Sequence, residues 1–96
     1  MRAAALALAI LGCATGTAVA QPAPAGASAC SGCHAPQGRL PDGAIPPVHG
    51  RDAAEIVAAM QEFRAGTRPA TVMDRLARGF SDEEIRAVAA WLSAQR

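Results

Sequence analysis

Five consecutive residues, Cys30-Ser31-Gly32-Cys33-His34, constrain this chain more than anything else in it. Side chains three and four positions apart share one side of a helical turn, so this run presents two thiols and an imidazole together. C-x-x-C-H is the spacing at which a chain holds haem covalently. Both thiols can add to vinyl groups on adjacent edges of the macrocycle, while His34 rises over the plane as proximal iron ligand. Three plainer fates compete. A thioredoxin-like pair needs a βαβ setting, and no stretch here alternates with period two. A zinc site with His34 and His49 lacks the second cysteine pair that structural sites usually take from a separate turn. A disulfide between Cys30 and Cys33 would close too small a loop to add much stability.

The start of the chain bears on the cysteine count. Met1 and Arg2, an apolar run from Ala3 to Leu11 and the small triplet Ala18-Val19-Ala20 read as a secretory signal peptide over residues 1–20. The apolar run is far shorter than the roughly 20 residues of a membrane span, so cleavage after Ala20 is expected rather than anchoring. Ile10-Leu11-Gly12-Cys13 also resembles a loose lipoprotein box, and lipidation of Cys13 is the minor alternative. Cleavage after Ala20 leaves residues 21–96 as one domain with two cysteines and no odd thiol for an oxidising compartment. A domain this small has a marginal core unless something staples it. Its large aromatics are Phe63, Phe80 and Trp91, so a flat cofactor would supply volume that side chains do not.

Without Arg2, eight arginines face eight acids and lysine is absent. No basic stripe or aromatic platform suggests nucleic acid. No G-x-G-x-x-G run is present to bind a dinucleotide.

The elements read as helical throughout, an all-α fold. Four prolines and three glycines between Ala35 and Gly50 predict a shaped loop. Asp52 can cap a helix whose Ala53, Ile56, Val57, Met60 and Phe63 form one buried face, with Gly66 as its stop. Thr71 to Arg78 offers a shorter helical turn closed by Gly79, with Val72, Met73 and Leu76 apolar. Ser81-Asp82-Glu83-Glu84 is a capping box, followed by a stripe of Ile85, Val88, Ala89 and Leu92 with Trp91 at its margin.

With His34 proximal, the distal candidates are Met60, Met73 and His49. Met60 lies on a predicted buried stripe, where methionine is usually packing. His49 is close in sequence to His34, in a stiff proline-rich loop. Met73 lies past a whole helix and the Gly66-Thr67-Arg68-Pro69 turn, which gives enough chain to return over the other haem face. It is the expected distal ligand. Thioether ligation raises the reduction potential, and a filled coordination shell points to electron transfer rather than catalysis at iron.

CSGCH, IPPVHGR from Ile45 to Arg51, MQEFRAG from Met60 to Gly66 and ATVMDRLARGFSDEEI from Ala70 to Ile85 together resemble the small class I cytochromes c. Within that class the likeness is to the haem subunits of flavocytochrome c sulfide dehydrogenases. The resemblance spans essentially all of 21–96 and implies about four short helices wrapped around one covalent haem c. It assigns the methionine of Thr71-Val72-Met73 as axial ligand and Met60 to packing. It also implies a backbone carbonyl from Pro46 or its neighbour on His34 Nδ1, and an N-terminal helix crossing the C-terminal one. Gly26, Ala27 and Ala29 are small enough to allow that crossing near Trp91 or its stripe.

The implied setting is the periplasm, and the implied partner an FAD-containing flavoprotein subunit that oxidises sulfide and passes on single electrons. A free-standing shuttle for another periplasmic oxidoreductase is the alternative. A haem sensor with a displaceable distal ligand is a further one.

Overall fold

The computed structural model describes residues 21–34 and 45–95, together with Gly12, Gly16, Thr17 and Val19. The remainder of the signal-peptide reading, with Cys13 and Ala20, and the loop over 35–44 lie outside the described residues. The described residues form four helices and no strand: α1 (Ala27–Cys33), α2 (Ala53–Ala65), α3 (Met73–Ala77) and α4 (Asp82–Ala94).

The two long helices begin and end where local chemistry dictates. Asp52 Oδ1 accepts from the backbone N–H groups of Ala54 at 2.9 Å and Glu55 at 3.2 Å, satisfying two donors that the first turn of α2 leaves free. At the other end Gly66 adopts φ 76°, a left-handed conformation that folds its N–H back onto the last turn. On α4 the capping box is complete. Ser81 Oγ accepts from Glu84 N–H at 3.1 Å and Glu84 Oε2 accepts from Ser81 N–H at 3.0 Å.

The apolar stripes meet as expected. Ile56 of α2 packs with Val88, Ala89 and Leu92 of α4, and Ala27 of α1 is fully buried in the same cluster. Val57, Met60, Phe80 and Trp91 lie half-buried against it. The small residues at the start of α1 permit the helix contact with α4, but they divide the work differently from the expectation. Ala27 is fully buried in the cluster that holds the α4 stripe. Gly26 lies under the ring of Phe80, where an added Cβ would come within 2.8 Å of Cε1, and Ala29 is exposed.

The short helix differs too. It spans Met73–Ala77 rather than Thr71 to Arg78, and its buried residue is Ala77, while Val72 and Leu76 are each 50% exposed. Gly79 follows it without a positive φ, in a turn where its N–H donates to the Leu76 carbonyl at 3.0 Å. Arg64, at the end of α2, donates to the Phe80 carbonyl at 3.2 Å and pairs with Asp82, which ties the start of α4 to the end of α2.

Candidate functional site

The C-x-x-C-H run begins inside α1 and ends on its cap. Cys30 and Cys33 belong to the last turn and are free thiols, and His34 caps the helix with its N–H on the Cys30 carbonyl at 2.7 Å. Burial pushes the Cys30 thiol above its ordinary pKa, a backbone hydrogen bond works in the other direction, and the neighbouring Cys33 adds to the rise.

His34 Nδ1 lies 2.6 Å from the carbonyl oxygen of Pro46. A carbonyl can only accept, so Nδ1 donates this bond, and in the neutral ring the lone pair then sits on Nε2. Of the two carbonyls that the sequence left open, the one on His34 is therefore that of Pro46. This is the arrangement that orients a ligating imidazole and raises its basicity.

Cys30, Cys33, His34 and Met73 all line one cleft of about 720 Å³. Ile45, Pro46 and Val48 contribute to it from the segment after the proline-rich loop, Ile56, Met60 and Phe63 from α2, and Val72 and Leu76 from the α3 region. The exposed apolar side chains of Val72, which caps the short helix, and of Leu76 within it are thus walls of the cleft, not members of the helical core. Met60 packs against the core as the sequence suggested, and it also faces the cleft, so two thioethers border the same space.

His49 is not among the residues that line this cleft. Its Nε2 lies 3.0 Å from Ser31 Oγ, on the turn between the two cysteines. Sequence reasoning missed this contact, because it treated His49 only as a ligand or a solvated turn residue. Arg51 and Arg68 stand at the cleft, Arg51 bonded to the Pro47 carbonyl at 3.1 Å and Arg68 to Glu62 at 2.7 Å. Among the described residues no group of three or more His, Cys, Asp and Glu side chains converges as a metal cage.

No family model matches the chain. Over 60 residues it is 38% identical to the cytochrome subunit of sulfide dehydrogenase from Chlorobaculum tepidum, a match that covers 62% of this chain and 54% of that protein. Over 67 residues it is 36% identical to the thiosulfate dehydrogenase electron acceptor of Stutzerimonas stutzeri, covering 67% of this chain and 31% of that one. The chain is a relative of the small cytochromes c. It spans about half the length of the first relative and about a third of the second.

The cleft of this cytochrome relative passes the chemical test for a flat, largely apolar prosthetic group. Its volume falls within the roughly 300–1,000 Å³ of cofactor sites, its walls are mostly aliphatic and aromatic, and its reactive groups gather at the α1 turn and at Met73. Among the described residues no helix is long and apolar enough to cross a membrane.

Proposed function

We propose that this chain is an exported c-type cytochrome that carries single electrons on one haem held by Cys30, Cys33, His34 and Met73. The observation that carries the reading is the convergence of all four side chains on a single cleft, with the His34 ring already fixed by Pro46 so that Nε2 is the free nitrogen. Cys30 and Cys33 would form the thioether links, each thiol adding across one vinyl group without loss of an atom. His34 and Met73 would supply the two axial ligands. When bound, the haem supplies a one-electron couple, and a His/Met ligand pair places it at high potential with no position open to substrate. The rest of the chain holds that group dry: Ile56, Met60, Phe63 and Phe80 present apolar surface, and water exclusion lowers the local dielectric and raises the potential further.

In this reading the protein receives electrons from a sulfide-oxidising flavoprotein in the periplasm, after removal of residues 1–20. The sulfide dehydrogenase cytochrome subunit among its relatives supports that partner. The thiosulfate dehydrogenase electron acceptor supports a second reading, a free-standing shuttle for another sulfur-oxidising dehydrogenase. Gel filtration of the native protein separates the two, since co-elution with flavin absorbance supports the first and a lone small haem protein sinks it.

The ligand assignment is tested by exchanging each methionine for alanine. Met73→Ala is expected to abolish the near-infrared charge-transfer band of methionine-ligated ferric haem and to lower the potential. Met60→Ala is expected to keep the band. Loss of the band in Met60→Ala alone would move the ligand to α2, and a wild-type protein without the band would favour a sensor with an open distal face.

A further inference from the structure

Residues 46–51 run beside the helix that carries the cysteines, and the first two of them, Pro46 and Pro47, have no backbone N–H to donate. Among the described residues no backbone–backbone hydrogen bond joins this segment to α1. Two side-chain rungs do so instead. One is His34 Nδ1–H to the Pro46 carbonyl at 2.6 Å, and the other joins Ser31 Oγ to His49 Nε2 at 3.0 Å. Ser31 and His34 are three apart on the helical turn, and Pro46 and His49 are three apart on the segment, so the rungs lie side by side in antiparallel order.

Two further bonds stiffen the segment. Gly50 N–H donates to the Leu92 carbonyl of α4 at 2.9 Å, and Arg51 N–H donates to the Val48 carbonyl at 3.3 Å. Neither touches α1. Among the described residues the Ser31–His49 rung is thus the hydrogen bond to α1 that is independent of His34 itself.

We propose that the Ser31–His49 pair is a positioning device for His34: it holds the Pro46 carbonyl against Nδ1–H, and through that bond it sets how strongly Nε2 donates to iron. The inference rests on the haem reading above. Its physical basis is the coupling of the two rungs through three residues of a proline-stiffened segment. Loss of the Ser31 hydroxyl leaves the half-buried His49 ring without its partner on α1, and the segment then gains freedom at the point that faces His34. A longer Nδ1–H···O bond makes the imidazole a poorer donor, stabilises ferric iron less and moves the potential upward.

The test uses the isosteric pair Ser31→Val and Ser31→Thr in the mature holoprotein. Exchange of the His34 Nδ1–H with solvent, followed by NMR in the reduced state, should be about tenfold faster in Ser31→Val. That factor corresponds to about 1.4 kcal/mol, near the upper net worth of one hydrogen bond. The potential of the same variant should shift upward, while Ser31→Thr keeps wild-type values of both. His49→Gln, whose amide can still meet the Ser31 hydroxyl, should stay within about threefold of wild-type exchange, a difference of less than 1 kcal/mol. If Ser31→Val does not accumulate as holoprotein, Ser31→Ala removes the same hydroxyl with no added bulk and is read in the same way. Wild-type exchange and potential in the hydroxyl-free variant, with the haem spectrum intact, would overturn the inference and leave the haem reading standing. A wild-type protein with no thioether-linked haem by pyridine haemochrome would overturn the haem reading, and this inference with it.

Discussion

Substitution of Gly26 by alanine is expected to destabilise the fold through two separable effects. Gly26 caps α1 at φ 82°, and a Cβ there would stand 2.8 Å from Phe80 Cε1 and 3.1 Å from Cζ. Placing an L-residue in the left-handed region costs about 1–2 kcal/mol. Displacing a well-packed ring costs about 1–3 kcal/mol more, and the lower entropy of the unfolded alanine chain returns only about 0.4–1 kcal/mol. The net loss is then about 1–5 kcal/mol, which for a domain of this size lowers the melting temperature by about 4 °C or more. Thermal unfolding of the mature holoprotein followed by far-ultraviolet circular dichroism measures it. Phe80→Leu in the Gly26→Ala background should recover the steric part and leave the backbone part, so the two substitutions should be coupled in a double-mutant cycle. A melting temperature within about 3 °C of wild type, or the same Phe80→Leu effect in both backgrounds, would refute the reasoning.

Two further outcomes follow from the start of α4. The hydrogen bond from Arg64, reinforced by its charge, holds the Asp82 carboxyl below its ordinary value of 3.8. A depressed folded-state pKa means that the pair's contribution is present above the unfolded value and is lost as pH falls through the folded one. Asp82→Asn should therefore flatten the fall of melting temperature below about pH 4, and unchanged acid limbs in the two proteins would rule this out. Ser81→Ala removes one half of the reciprocal cap and should cost about 1 kcal/mol in urea unfolding, with a loss under about 0.3 kcal/mol counting against the cap as a source of stability.

Much of the scaffold was legible because its signals are local. Asp52, Gly66, Ser81 and Glu84 act on backbone groups within a few residues, so α2 and α4 could be bounded from the sequence. Cys30, Cys33 and His34 form a cluster by spacing alone, and Pro46 could be narrowed to one of two carbonyls through family resemblance. The contacts that escaped notice join residues distant in sequence. Gly26 and Phe80, Arg64 and Asp82, and Ser31 and His49 meet only because the helices pack as they do. Val72 and Leu76 were read as apolar members of a helix, but periodicity does not distinguish a face buried by protein from one that borders a cofactor cleft. The matching three-residue offsets from Ser31 to His34 and from Pro46 to His49 were visible in the sequence. They gained meaning only once the Pro46 carbonyl was placed on His34.

The Arg64 contacts have a consequence for motion. Its guanidinium fastens the end of α2 to Phe80 and Asp82, so the stretch from Gly66 to Gly79 leaves and rejoins the helical body at nearly the same place. An arm tied at both feet has little freedom to fray from one end. With α3 also packed on α2 and its Ala77 buried, the arm is expected to open and reclose as one cooperative unit that carries Met73, and amide exchange along it should report a shared opening energy rather than a gradient.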